Sequence, residues 1–322
     1  MPVNLKLLGA VISSVAALSM AGSALASEYP GRIITMVVAY PAGQGTDLAA
    51  RFYAEKLSNA LGENVVVDNR PGAGGNVGTA SASQAEPDGY TILMGASGTH
   101  ALNPAMFQNP GYDAEADFDP IAATIVIPMA ISAHPSIGVD SIEELMEFSQ
   151  ANPDQVDVAL PSVTSQLVLE RLNDAGASLN GIKYDGSAQA TAAVLGNQVP
   201  VLIDTLGSSR RYFEQLVPIA VTSPTAASSL PELLSVAEQG VEGFNVTAWN
   251  TLYVLEGTPD HIRGRLRDEM RTIMADPGTA QSMDEFGFEL SPWMEREELE
   301  AWEQSERERY GEAVRDAGLD GR

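Results

Sequence analysis

The chain has 322 residues, no cysteine and a formal net charge of −25, set by 43 acidic residues against 18 basic ones. Only three of the basic residues are lysines, Lys6, Lys56 and Lys183. So acidic and lysine-poor a surface argues against binding nucleic acid or an anionic membrane, and without cysteine the fold is held by its core, with neither disulfides nor thiolate metal ligands.

Residues 1–26 carry one charge, Lys6, then an apolar run from Leu7 to Ala17, then Ala24-Leu25-Ala26. That is the order of a secretory signal peptide. Cleavage after Ala26 is expected to leave an exported, periplasmic chain one charge unit more negative. No later stretch reaches the ~18 continuous apolar residues of a membrane span.

From there strands and helices alternate. "RIITMVVAY" (32–40) reads as a strand, followed by a glycine turn and a helix that Thr46 or Asp47 can cap. "NVVVDN" (64–69) is a second strand, running into the glycine-rich "RPGAGGNVGTASASQA". "YTILMG" (90–95) is a third, followed by "ASGTHALNPAMF". Strands separated by helical segments imply parallel βαβ units. The apolar run 124–135, broken by Pro128, is expected to leave the first domain. Ser141 and Glu144 fit a capping box opening a helix over 141–153. "VDVAL", "GIKY", "VPVLIDT" and "LVPIAVTS" read as strands of a second domain, and "FNVTAWNTLYVLE" (244–256) as a return strand. The last helix, within 292–317, sets Leu299, Trp302, Tyr310 and Val314 near one face, its charges forming a solvated face.

Three loops, Pro41–Thr46, Pro71–Asn76 and Ala96–His100, each follow a strand's C-terminal end and open a helix. Ligands of open α/β sheets bind at that edge. Helix N-termini there offer unpaired N–H groups and partial positive charge, enough to hold a carboxylate without Arg or Lys. Gly43, Gly45 and Gly98 permit close approach, and Thr46, Ser97 and Thr99 add hydroxyls.

Other chemistries fit less well. Gly72-x-Gly74 lacks the third glycine of a dinucleotide fingerprint, because Val77 stands there. "GASGT" nearly matches a nucleophile elbow at Ser97, but Thr99 takes the last glycine's place. A hydrolase would also need His100, His134 or His261 as base. The three histidines are scattered and no calcium-loop spacing occurs, so neither metal nor cofactor is expected.

The segments "YPGRIITMVVAYPAGQGTDLAARFYAEKL", "VVVDNRPGAGGNVGTASASQAEPDGYTILMGASGTHALNPAMF" and "YDGSAQATAAVLGNQV", with "VTSPTAASSLPELLSVAEQGVEGF" further on, resemble the solute receptors of tripartite tricarboxylate transporters, the Bug-type receptors. The resemblance implies an α/β, two-domain periplasmic binding fold of the type II-like kind. Two parallel or mixed sheets flanked by helices would meet at a hinge and a ligand cleft. It implies a receptor rather than an enzyme, with a small organic acid as ligand and membrane permease subunits as partners. Ligand contacts in the family run through backbone N–H groups and waters.

By that resemblance the first-domain clamps are Tyr40, Ala42, Gly43, Gln44, Gly45, Thr46 and Asp47, and Ser97, Gly98, Thr99, His100 and Asn103. The second-domain contacts are Ser162, Thr164, Ser165, Tyr184, Gly186 and Asp204. Here the chain departs from the family. Pro161-Ser162-Val163-Thr164-Ser165-Gln166-Leu167 lacks two family glycines and a histidine, Asp185 replaces a lysine and Thr205 an asparagine. Domain 1 is expected at 27–130 plus 246–322, and domain 2 at 131–245, in a monomer. An alternative is a sensory adaptor of the same fold, signalling to a membrane kinase. Leu160, Val163 and Leu167 should make the second wall apolar, and Asp185 and Asp204 should repel a second carboxylate. The expected ligand therefore has one strongly held carboxylate and an apolar, aromatic or cationic remainder, unlike citrate.

Overall fold

The structure, a computed structural model, describes residues 29–153 and 155–321. The signal segment expected at 1–26 lies outside them. Ten strands follow the order β2-β1-β3-β9-β4-β7-β5-β6, with β8 and β10 also paired to β4. In the first sheet β1 (Ile34–Val38), β2 (Val65–Asn69) and β3 (Thr91–Ala96) are parallel. The strand β9 (Thr247–Leu255) runs antiparallel to β3 and to β4 (Phe118–Ala133), which also carries the short β10 (Glu289–Leu290). In the second sheet β5 (Val156–Leu160) lies parallel to β6 (Leu179–Lys183) and β7 (Val201–Thr205). Both β7 and β8 (Val217–Val221) run antiparallel to the far end of β4.

Pro128 does not break the run expected to end near it. β4 is one strand of 16 residues. Pro128 sits where its partner changes: it faces Thr247 of β9, and the next residue, Met129, faces Thr205 of β7. A residue without an N–H is tolerated where a ladder is interrupted anyway. Thr222 ties the crossing together. Its hydroxyl accepts the Met129 N–H at 3.1 Å and donates to the Val246 carbonyl at 2.5 Å, and its backbone bonds both residues again.

The helices are α1 (Gly45–Leu61), α2 (Asn76–Ser83), α3 (Asn103–Met106), α4 (Ile142–Ala151), α5 (Val163–Asp174), α6 (Ser187–Leu195), α7 (Leu206–Ser209), α8 (Asp260–Ala275), α9 (Pro277–Phe286) and α10 (Arg296–Asp316). Ser141 caps α4 by accepting the Glu144 N–H. The Glu144 carboxylate, however, takes the N–H of Asp140 rather than that of Ser141, so the expected box is only half formed. A reciprocal box forms instead between Ser162 and Ser165 at α5. In α10, Leu299, Tyr310 and Val314 are buried as their spacing predicts. Against expectation one charge of that helix, Glu303, is buried too, where it accepts the Tyr253 hydroxyl.

Candidate functional site

The loops that follow β1, β3, β5 and β7 converge between the sheets on a cavity of about 40 Å³. Its first wall is Tyr40, Gln44, Gly45, Thr46, Ser97 and Gly98; its second is Ser162, Thr164, Ser187, Asp204 and Thr205; Ile127 and Met129 of β4 complete it. The walls touch. A methyl group on Gly45 would stand 3.4 Å from the Thr205 side chain, one on Gly186 3.3 Å from Pro41 and Gln44, and one on Gly98 3.2 Å from Val163. The approach of the two walls at Gly45, Gly98 and Gly186 leaves the cleft in a closed arrangement.

The first wall is a donor surface. Gln44 occupies the N-cap of α1 without a side-chain cap bond, so neither Thr46 nor Asp47 caps the helix. The N–H groups of its first turn have no acceptor within the helix. Asn250 of β9 donates to Thr46 Oγ1 at 3.1 Å and to the Gly95 carbonyl at 2.9 Å, which leaves the Thr46 hydroxyl proton free to point at a ligand. Ser97 is fully buried and its Oγ has no hydrogen-bond partner among the described residues, so none of the described histidines stands as its base. Gly98 opens a five-residue π-helical turn that continues into α3.

Other residues of these loops brace the wall from behind. Burial alone would raise the Asp47 carboxyl, but bonds from Arg51, the Gly43 N–H and Asn69 outweigh it and hold it below the usual carboxylate range. The Gly43 N–H, 2.8 Å from Asp47, is thereby spent inside the loop. Thr99 Oγ1 is occupied by the Ala96 backbone and by His100 Nδ1. His100 stacks on Tyr253 at 4.1 Å, and burial pushes its pKa down to about 3, which keeps the ring neutral. Asn103 donates to the Gly74 carbonyl and to Asn76, binding the second glycine loop to the third. Ser165 belongs to the cap of α5. Asp47, Thr99, His100, Asn103 and Ser165 thus stand outside the central cavity.

The second wall carries the charge. Asp204 Oδ1 accepts the Thr205 N–H at 2.7 Å, while Oδ2 has no partner. Burial pushes its carboxyl up to about 6, against the pull of Ser187, the Thr205 N–H and Arg211. Ser187 lies close enough to exert that pull, yet its Oγ makes no hydrogen bond of good geometry. Of the three apolar residues expected here, only Val163 fronts the cleft. Leu160 and Leu167 belong to the main core. At the mouth, Ala42, Gly43 and Gly186 line a pocket of about 260 Å³ beside Arg211. Tyr184 lines another, of about 350 Å³, against Pro161–Val163. Sequence reasoning missed Ser187, Thr205, Arg211 and Asn250. Ser187, after Gly186 at a helix start, and Thr205, at the position of a family asparagine, carried a signal; Arg211 and Asn250 carried none.

The sequence pattern described as "Tripartite tricarboxylate transporter family receptor" matches residues 49–319. The chain is 35% identical to a UPF0065 protein of Bordetella bronchiseptica, over 83% of this chain and 80% of that one. Of solved structures, periplasmic binding protein BugD superposes with a TM-score of 0.84 at 31% identity, covering 91% of this chain and 100% of its own. R. palustris Rpa4515 with adipate superposes with a TM-score of 0.87 at 27% identity, covering 91% and 99%. No helix among the described residues is long and apolar enough to cross a membrane.

Proposed function

The chain belongs to the tripartite tricarboxylate transporter receptor family, a family of solute receptors rather than enzymes, and from that premise we propose that it captures a small organic acid outside the cytoplasm and delivers it to the membrane subunits of such a transporter. The described parts of the expected domains, within 27–130 with 246–322 and within 131–245, form the two jaws of the clamp, with the strand crossings close to those boundaries, at Pro128–Met129 and Val246–Thr247, as the hinge. The observation that carries the reading is the single cavity where the uncapped start of α1 and the unpartnered Ser97 hydroxyl face the second jaw. A carboxylate there is held by N–H groups, a helix dipole and hydroxyls, without a cationic side chain. The adipate of Rpa4515 supports the class of ligand.

Titration calorimetry and thermal shift of the purified protein against organic acids test this. A true ligand at ~100 times its dissociation constant stabilises the fold by about 2.7 kcal/mol. Gly45→Val drives a branched side chain toward Thr205 and Ile127 across the cleft and is expected to weaken binding at least tenfold while the protein still folds. Undiminished affinity in that variant, or no response to any acid, refutes the placement.

A further inference from the structure

We propose that the mouth pocket beside Arg211 is a second anion subsite, holding the outer carboxylate of a ligand whose inner carboxylate lies against Gly45 and Ser97. The proposal rests on the cleft being the ligand site, and extends it to Ser208 and Arg211, which the family resemblance did not single out.

Four observations converge on the pocket. It receives the start of α6, nine residues long, whose N-cap Gly186 has no side chain to offer and whose first turn holds no acidic residue. The N–H groups of Ser187, Ala188 and Gln189 therefore end at the pocket with no acceptor from the helix. Ser187 is only 8% exposed, and its hydroxyl, close to Asp204, makes no hydrogen bond of good geometry among the described residues. Ser208 Oγ accepts the Thr205 hydroxyl at 2.9 Å, which leaves its own proton available. Lastly, Arg211 lines the pocket, exposed, and makes no hydrogen bond or ion pair with the described residues. Its neighbour Arg210 is engaged by the carbonyls of Asp284 and Glu285.

In a chain with 43 acidic residues, Arg211 acts on Asp204 only at longer range and is in ion-pair contact with no carboxylate among the described residues, which leaves its guanidinium available to an anion from elsewhere. The acidic groups nearby are Asp185, exposed on the pocket's rim, and Asp204, in the inner cavity. Gln44 and Ser187 line both the pocket and the inner cavity, so the two spaces adjoin at these side chains, and a linear molecule anchored inside would extend past them to reach Arg211 once the jaws part. The same donors would also take a free inorganic anion, and the test separates the two sources.

Linear diacids of four to eight carbons and their monomethyl esters would be titrated into the wild type and Arg211→Ala, with inorganic phosphate titrated alone. Expected is a preference of the wild type for the diacid of fitting length over its ester by about tenfold or more, abolished in Arg211→Ala, with ester affinity unchanged. Phosphate binding that depends on Arg211, without any diacid preference, would also uphold the subsite but assign it to a free anion. If phosphate alone bound in this way and no organic acid did, the subsite would stand and the carboxylate reading of the cleft would fall. Diacids and esters bound alike, with Arg211→Ala altering neither, would overturn the subsite and leave the receptor reading intact. Equal losses for both ligand types in Arg211→Ala would overturn it as well, because the guanidinium would then not act on an outer carboxylate.

Discussion

Asp204 is a carboxylate buried in the cavity proposed to take a ligand carboxylate, and its protonation decides how well the two would coexist. Burial lifts it from 3.8 to about 6. The folded state therefore binds this proton more tightly than the unfolded chain. Its contribution to stability is fully present below pH ~4 and is lost as pH rises through about 6, a swing of about 3 kcal/mol. Asp204→Asn should thus stabilise the protein relative to wild type at pH 7 to 8 and lose that advantage near pH 4, measured by urea unfolding across the range. Glu303, also raised by burial, to about 7, has the same sign in both proteins, so the difference isolates Asp204. A gap that stays constant with pH would mean that Asp204 does not titrate in this way. A ligand carboxylate beside it raises its pKa further, so binding takes up a proton and affinity should fall above pH 6. The residue was legible from the family resemblance, which matches it to an aspartate of the receptors. Arg211 was not. It follows the short α7 in a stretch with no pattern, and only the fold brings it opposite α6.

At the scale of the element, strand and glycine patterns revealed where β1 and β3 deliver their loops, but not which side chains turn back into the body. "SGTHALN" reads as one binding loop. In the structure Ser97 faces the cavity, while Thr99 and His100 lock the π-helical turn to Ala96 and Tyr253. Helical and strand periods do not describe a π-helical turn, so neither period separates its two faces. The two hydroxyls should consequently part company under mutation. Ser97→Ala removes an unpartnered buried oxygen and is expected to leave the melting temperature within about a degree while weakening ligand binding. Thr99→Val strands the Ala96 N–H and His100 Nδ1 and is expected to cost about 1–3 kcal/mol of stability. Calorimetric melting beside titration of the same ligand gives both readouts. Thr99→Val melting like wild type, or Ser97→Ala binding like wild type, would reverse these assignments. The second-jaw loop was misread for a related reason. Leu160 ends a strand and Leu167 lies within a helix, so their periods turn both into the core and leave Val163 alone at the cleft.

For the whole molecule, the alternation of strands and helices and the two apolar runs that cross between sheets were enough to foresee the two-sheet architecture. What they could not show is that β4 passes unbroken through Pro128, because a proline is excluded only from an uninterrupted ladder. Charge acts at this scale too. Most of the chain's arginines already have carboxylate partners, as in Arg32 with Asp88, Arg51 with Asp47 and Arg263 with Asp119 and Asp260. The excess of acid over base is left to repel itself across the surface. Exposed pairs such as Arg32 with Asp88 contribute at most about 1 kcal/mol each, and buried ones such as Arg263 with Asp119 are little screened, so salt costs the pairs little, whereas screening a net charge of −25 relieves a repulsion spread over the whole fold. Added salt should therefore stabilise the protein. The melting temperature is expected to climb steadily from roughly 20 mM to about 1 M sodium chloride, where the Debye length shrinks to ~3 Å. Potassium chloride should act alike, since screening depends on ionic strength rather than on the cation. A melting temperature that stays flat or falls over that interval would show that the arginine pairs, and not the unpaired acid, govern the electrostatics of the folded state.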